Sequence, residues 1–366
     1  MRQRDTTFFL DSSQVNRNPK KFSVVGAGAL GTILGGLIKH HRPDLDVVLV
    51  TRGEHCRQIR QTGQVVLHGP WGQCSPEVTA TTDVKEIADS DLVLFTVKSQ
   101  HTAETARQIA PVLGDAMLVS LQNGVNQREL RPSVRADRLL VGMTATNMAI
   151  TSPGEVTLQR NGLSMIGSPD NVCPSAIVQA ARDLLAISGL PFETSDQILG
   201  IQYNKLLLNT MGYASVLSDS DFITDGILFG PWRRHVALPL LNEGLTVLEA
   251  AGIHLGRTSG MSDVLRFGRL LRALNTPGVD GPARWVVKQL VRPKKLVYSV
   301  YQDLVRGKPT EIDYINGEIV RLAGECGVSA PYNGLVVQMI HDLEKRPSDQ
   351  FPTHEQVIAR FRELSD

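Results

Sequence analysis

The sequence contains no C-x-x-C pair, only four cysteines in 366 residues, and no unbroken apolar run of membrane-spanning length. Cys56, Cys74, Cys173 and Cys326 stand far apart. That spacing argues against a zinc motif, and without a secretory leader pattern it argues against a disulfide framework as well. The expectation is four reduced thiols in a cytoplasmic protein. The most apolar stretch, Phe22 to Ile38, is interrupted by glycines and reads as strand, turn and packed helix rather than a membrane span. No excess of either charge is present: 38 Lys+Arg face 37 Asp+Glu, a formal net charge of +1. A highly basic nucleic-acid binder is therefore not expected. With 42% hydrophobic and 20% charged residues, the chain can fill a core, which excludes a largely disordered or fibrous protein.

Residues 1–20 are polar apart from TFFL and read as a loose arm, with Phe8 and Phe9 available to rest on the body or a partner. From residue 21 to 196 the pattern alternates. Strand candidates at VV (24–25), LDVVLVTRG (45–53), VVLH (65–68), DLVLFTVK (91–98) and AMLVSLQNG (116–124) are separated by helical stretches at 29–41, near 83–90 and around 101–110. Such alternation predicts a parallel α/β sheet of Rossmann type. VGMTATNMAI, EVTLQ and LSMIG add further strand-like segments, and 172–188 predicts another helix. From 197 to 345 long apolar-periodic segments predict a mostly α-helical second domain, with helices near 198–217, 233–251, 285–306, 310–326 and 332–344. Residues 254–284 form a Gly/Pro/Ser-punctuated excursion around DVLRFGRLLRAL. The tail 346–366 includes EQVIARFREL, which predicts a last helix. Apolar periodicity leaves monomer and homodimer both open.

The sharpest chemical signal is Gly26-Ala27-Gly28-Ala29-Leu30-Gly31, directly after a strand and opening a helix. Gly26 suits a tight turn, Gly28 lets backbone approach a pyrophosphate, and Gly31 lets helix and sheet pack closely. The competing account is plain close packing by glycine. At the end of the second strand, where an NAD site commonly carries an acid, this chain has Val48-Leu49-Val50-Thr51-Arg52. Arg52 suits a 2′-phosphate and Thr51 adds a hydroxyl donor, which favours NADP(H). The alternative makes Arg52 a solvated arginine and gives the ribose to Glu54. Lys98 and Asn123 fall in loops after strands, where ligands gather in such sheets. A lone lysine is also ordinary surface, and Asn-Gly is also an ordinary turn.

Two later segments carry candidates for proton transfer. In GIQYNKLLLNTMGY, Lys205 and Asn209 are four residues apart and share a helix face, with Tyr213 one turn further. On spacing alone a solvated Lys-Asn pair is the more ordinary reading. In SVYQDLVRGKPTEIDYINGEI, Ser299 and Asp303 share a face, with Asp303 read as serving local structure. Glu311 lies where the next helix is expected to start, as a first-turn acid or as a site residue.

Taken together, GAGALG (26–31), VKSQHT (97–102), LQNGVN (121–126), NKLLLN (204–209) and the segment 299–319 resemble the ketopantoate reductase family, the 2-dehydropantoate 2-reductases. The similarity covers roughly residues 22–345. It implies a nucleotide domain joined to a helical domain, acting on a small 2-oxo acid with NADP(H). It further implies Lys205 as general acid, Asn209 as substrate ligand, and Ser299 at the carboxylate or hydroxyl end of the substrate. Lys98 and Asn123 would line the nicotinamide side. Glu311 would orient the substrate or the acid, and it falls among the cofactor contacts as well. One departure stands out: the family often continues Lys…Asn…Asn at four-residue spacing, whereas this chain has Tyr213. The phenol replaces an amide and predicts a pocket of different shape.

Overall fold

In the computed structural model, residues 19–257, 263–276, 278, 281–282, 285, 298–346 and 350–364 are described. The expected arm, parts of the 254–284 excursion and most of the helical segment expected at 285–306 lie outside these residues. The chain forms an N-terminal mixed α/β region of Rossmann type followed by a mostly helical region.

The first compact unit comprises residues 19–97, 103–121 and 130–196 among those described. Its strands are β1 (Lys21–Val25), β2 (Asp46–Val50), β3 (Val66–Gly69), β4 (Gly72–Cys74), β5 (Thr79–Thr81), β6 (Leu92–Phe95), β7 (Met117–Ser120), β8 (Leu139–Thr144), β9 (Asn147–Ser152), β10 (Glu155–Arg160), β11 (Ser164–Gly167) and β12 (Phe192–Thr194). The large sheet runs β12-β11-β8-β7-β6-β1-β2-β5. From β5 to β8 every pairing is parallel; β11 then runs antiparallel to β8. That core order is the doubly wound one, with the chain reversing direction beside β1. Its central strands β6 and β7 are buried throughout, as strands covered by helices on both faces must be.

Two sequence expectations differ here. The VVLH segment is a strand, but it belongs to a separate four-stranded sheet, β4-β3-β10-β9. The large sheet is completed instead by β5, whose Thr-Ala-Thr is too short and polar to show a buried pattern. The helix expected near 83–90 is a single tight turn, Val84–Ile87, capped by the Asp83 carboxylate on the Lys85 N–H. The helix Ala29–His41 touches both sheets. A Cβ on Gly35 would meet Leu49 Cδ2 at 2.8 Å, and one on Gly36 would meet Leu67 Cδ1 at the same distance. Small residues at these two positions let one helix pack closely on each layer.

The second unit comprises residues 98–102 and 122–129 together with the described part of 197–366, and it has its own core. Its axis is the helix Ile198–Val216, apolar nearly all round and therefore buried, with Leu207 pressed into the space left by Gly244 of the helix Leu238–Ala250. The helices Val264–Ala273, Ser299–Val305, Asn316–Cys326, Pro331–Glu344 and His354–Arg362 complete it. Residues 222–227 form a wide turn in which Leu228 N–H reaches back five residues to the Ile223 carbonyl (2.9 Å), a feature that periodicity does not announce. The helix expected over 310–326 is interrupted. Ile312–Tyr314 is a short tight turn, and the regular helix opens only at Asn316. No helix among the described residues is long and apolar enough to cross a membrane, and the same residues contain no His/Cys/Asp/Glu group able to hold a metal ion. All four cysteines are free thiols.

Candidate functional site

The glycine-rich turn follows β1. Gly26 has φ +82°, and a Cβ there would lie 2.6 Å from the Val97 backbone nitrogen, so no other residue fits. The Gly26 and Ala27 N–H groups donate to the Val50 carbonyl, which pins the turn to the end of β2. Gly31 sets the helix close to the sheet: a Cβ there would overlap Val24 Cγ1 at 2.5 Å. Gly28 is different. It is exposed, and its nearest such contact is 3.9 Å away within the turn itself, so its surface is open to a ligand. No side chain caps the helix that starts at Ala29, and no acid stands in its first turn. The N–H groups of Ala29 and Leu30, left over by helix geometry, and the positive helix end suit a pyrophosphate. These residues fit a dinucleotide.

Arg52 is exposed at the start of the helix Gly53–Thr62, immediately after β2. Glu54, the competing ribose ligand, forms an ion pair with Arg57 on the same helix.

In the second unit, four sequence candidates come together. Lys98 Nζ donates to Asp303 Oδ2 at 2.8 Å and to Glu311 Oε2 at 3.3 Å. The other Glu311 oxygen accepts from the Ser99 N–H at 2.8 Å and lies 2.8 Å from Ser99 Oγ. Asn126 Nδ2 donates to the Asn123 carbonyl at 2.6 Å, and Ser99 Oγ lies 3.1 Å from that carbonyl. The Asn123 side-chain oxygen accepts from Lys205 Nζ at 3.1 Å. Lys98, Glu311, Asn123 and Lys205 thus belong to one polar chain. Glu311 and Asp303 are buried, and a buried carboxylate needs a cation and donors. Burial works against the Lys98 charge, but the Glu311 and Asp303 carboxylates outweigh it and hold its pKa above the ordinary lysine value.

Glu311 is therefore not a first-turn helix acid, because the regular helix begins five residues later and the carboxylate faces Lys98 and Ser99. Asp303, read from sequence as local, is the nearer partner of Lys98. Ser99 and Asn126 were missed altogether. Their only sequence signal was adjacency, Ser99 to Lys98 and Asn126 to the Asn-Gly turn. That turn is itself specified by close approach: Gly124 has φ +77°, and a Cβ there would sit 2.6 Å from the Tyr314 carbonyl oxygen.

The second pair is Tyr213 and Ser299, whose hydroxyls share a hydrogen bond of 2.9 Å. Burial pushes the Tyr213 phenol up, and the Glu311 and Asp303 charges add to it against the Ser299 bond, so it stays protonated. Tyr298 meets Tyr213 edge to face with ring centres 5.6 Å apart. Along the buried helix Ile198–Val216, only Leu199, Lys205, Leu208 and Asn209 are partly exposed. Lys205, Leu208 and Asn209 form one stripe at i, i+3 and i+4. A solvated Lys-Asn pair belongs to a helix with a polar face; here the pair is a polar window in an otherwise buried one.

The ketopantoate reductase PanE/ApbA family model matches residues 22–171, and its C-terminal counterpart matches residues 197–344. The chain is 25% identical over 327 residues to a 2-dehydropantoate 2-reductase of Pyrococcus horikoshii, covering 88% of this chain and 97% of that protein. A 2-dehydropantoate 2-reductase of Halobacterium salinarum is 26% identical over 322 residues, covering 87% and 96%. Among solved structures, a PanE/ApbA family ketopantoate reductase from Ralstonia eutropha JMP134 superimposes with a TM-score of 0.67 at 26% identity, covering 88% of this chain and 98% of that one. A D-mandelate dehydrogenase in complex with NADH and anilino(oxo)acetate shares the fold with a TM-score of 0.72 at 24% identity, covering 88% and 98%. The glycine turn and the polar chain around Lys205 both lie within the matched stretches, and the chain belongs to the ketopantoate reductase PanE/ApbA family of NAD(P)-dependent oxidoreductases.

Proposed function

We propose that the protein reduces 2-dehydropantoate to (R)-pantoate with NADPH, using Lys205 as general acid. The observation that carries this reading is the Lys205–Asn209 window, with Lys205 Nζ held by Asn123 Oδ1. The reduced nicotinamide supplies the hydride for the C2 carbonyl. An ammonium beside the carbonyl oxygen stabilises negative charge that develops mainly in the transition state, and it then donates its proton there. Asn123 orients the ammonium, and the Asn209 amide, on the same face, both donates to and accepts from a hydroxy acid. Lys98 offsets one of the two negative charges of Asp303 and Glu311, which lessens their repulsion of the carboxylate of a 2-oxo acid. Arg52 favours NADPH, because the acid that would compete for the ribose is paired with Arg57.

A second reading, reduction of a bulkier 2-oxo acid, is favoured by one observation: Tyr213 and Tyr298 form an aromatic wall beside Ser299. Cofactor oxidation with ketopantoate, NADPH and NADH side by side, tests the first reading. NADPH-preferring turnover at modest substrate concentration is expected. Turnover with an aryl or branched 2-oxo acid but not with ketopantoate selects the second reading. No oxidation with either class, despite tight NADPH binding, overturns both.

A further inference from the structure

His55 is a buried titratable residue with no part in the reaction described above, and its ring spans three segments of the first unit. The Gly154 N–H, in the turn before β10, reaches His55 Nδ1 at 3.0 Å. His55 Nε2 lies 2.9 Å from Thr32 Oγ1. Thr32 Oγ1 in turn donates to the Ala27 carbonyl at 3.2 Å. A backbone N–H can only donate, so Nδ1 must be the acceptor and must carry no proton. The ring proton is then on Nε2, which donates to the Thr32 hydroxyl, and the hydroxyl hydrogen is left to point at Ala27. All three bonds run in one direction, from Gly154 to the glycine-rich turn.

From this geometry we infer that His55, acting through Thr32, is a positioning residue for dinucleotide binding: it fixes the Ala27–Gly28 peptide in the orientation that meets the pyrophosphate. The inference rests on dinucleotide binding by this turn and not on the choice of 2-oxo acid. Gly28 is the open residue of the turn, and nothing on its own side chain can hold its peptide plane. The N–H of that peptide donates to the Gly26 carbonyl at 2.7 Å, and its carbonyl, on Ala27, supplies the second handle. His55 also sits on the helix Gly53–Thr62, which begins next to Arg52. The same ring therefore ties the residue proposed to take the 2′-phosphate to the turn that takes the pyrophosphate.

The relay exists only while the imidazole is neutral. A protonated ring carries a hydrogen on Nδ1 facing the Gly154 N–H, two donors with no acceptor. The surrounding charges do not offset that. Glu54 and Arg57, on the same helix, are exposed and paired with each other; Glu155, beside Gly154, is bound to Ser152 and His68. The glycine turn carries no titratable group, and the helix bearing Thr32 carries its cations only in its last turn. Burial, with no opposing charge, holds the His55 pKa below its ordinary 6.5.

The test is Thr32→Val against Thr32→Ser, with NADPH dissociation constants measured by nucleotide fluorescence from pH 8 downward. Valine keeps the shape and removes the hydroxyl; serine restores it. Above pH 7 the valine variant is expected to bind NADPH about tenfold more weakly, the loss of one well-made hydrogen bond, and the serine variant to stay near wild type. As the pH falls through the lowered His55 pKa, the ratio between valine variant and wild type should fall toward one, because protonation of His55 then breaks the relay in the wild type. The 2′-phosphate titrates in the same range but is common to both proteins and cancels in the ratio. His55→Gln, which retains an amide donor toward Thr32, should bind NADPH more tightly than His55→Leu. A ratio near one at pH 8 overturns the proposal. So does a tenfold ratio that does not change with pH, since Thr32 would then act without His55. Lowered melting temperatures with unchanged NADPH affinity would leave only a structural role and likewise overturn it.

Discussion

The Lys205 ammonium and the Asn123 amide oxygen, 82 positions apart in the chain, are joined by a 3.1 Å hydrogen bond. The bond fixes the end of a long flexible side chain that would otherwise sample many rotamers. Lys205→Ala should lower turnover by about 10²–10⁴-fold, the usual contribution of a positioned general acid. NADPH affinity should change little, because Lys205 belongs to the second unit's helix and the phosphate turn to the first. Unchanged steady-state turnover would remove Lys205 from the acid role.

Arg52→Ala tests the cofactor assignment. An exposed arginine that pairs with a 2′-phosphate contributes only when that phosphate is present. Its removal should weaken NADPH binding by about tenfold or more while leaving NADH binding nearly unchanged. Titration of both nucleotides against both proteins decides the point. Equal losses for the two would return Arg52 to the status of a solvated side chain.

The nucleotide turn was legible in the sequence because each of its glycines answers to a separate local constraint, and such constraints are written over six consecutive residues. The axis helix was legible too, although the meaning of Lys205 and Asn209 was not. Spacing places them on one face; only the burial of the rest of the helix sets that face apart as its partly exposed stripe. Asp303 and Ser99 could not be read, since their importance lies in partners more than 200 residues away. VVLH stood among the strand candidates of the parallel sheet because its apolar run was the signal available there. An edge strand of three residues, Thr79–Thr81, buries too little to advertise itself.

Gly124→Ala addresses the turn that carries Asn123. The residue has φ +77°, and the added methyl would lie 2.6 Å from a backbone oxygen, so neither local rotation nor a side-chain shift relieves it. The left-handed conformation alone costs about 1–2 kcal/mol for alanine, and the clash adds to that. Thermal unfolding should show a clear loss of stability. Turnover should fall as well, because any retreat of the turn draws Asn123 away from Lys205. A variant with wild-type melting temperature and activity would mean that the turn moves freely, and that Asn123 does not position the acid.

Lys98 makes the reverse kind of test, through pH. Its pKa is raised in the folded state, so the stability it contributes is present below its unfolded value of 10.5 and is lost as the pH rises through the higher folded value. Lys98→Met removes the cation and leaves Asp303 and Glu311 buried without that opposite charge, with Glu311 still bonded to Ser99. Without the opposite charge, the carboxylate pair takes up a proton more readily in the variant than in wild type. The variant's deficit relative to wild type therefore shrinks as the pH falls. The variant should therefore unfold at a lower temperature than wild type near pH 8 and recover much of the difference near pH 5. Melting curves at the two pH values, for wild type and variant, check the sign. An equal deficit at both would show that Lys98 acts through packing of its methylene chain and not through its charge.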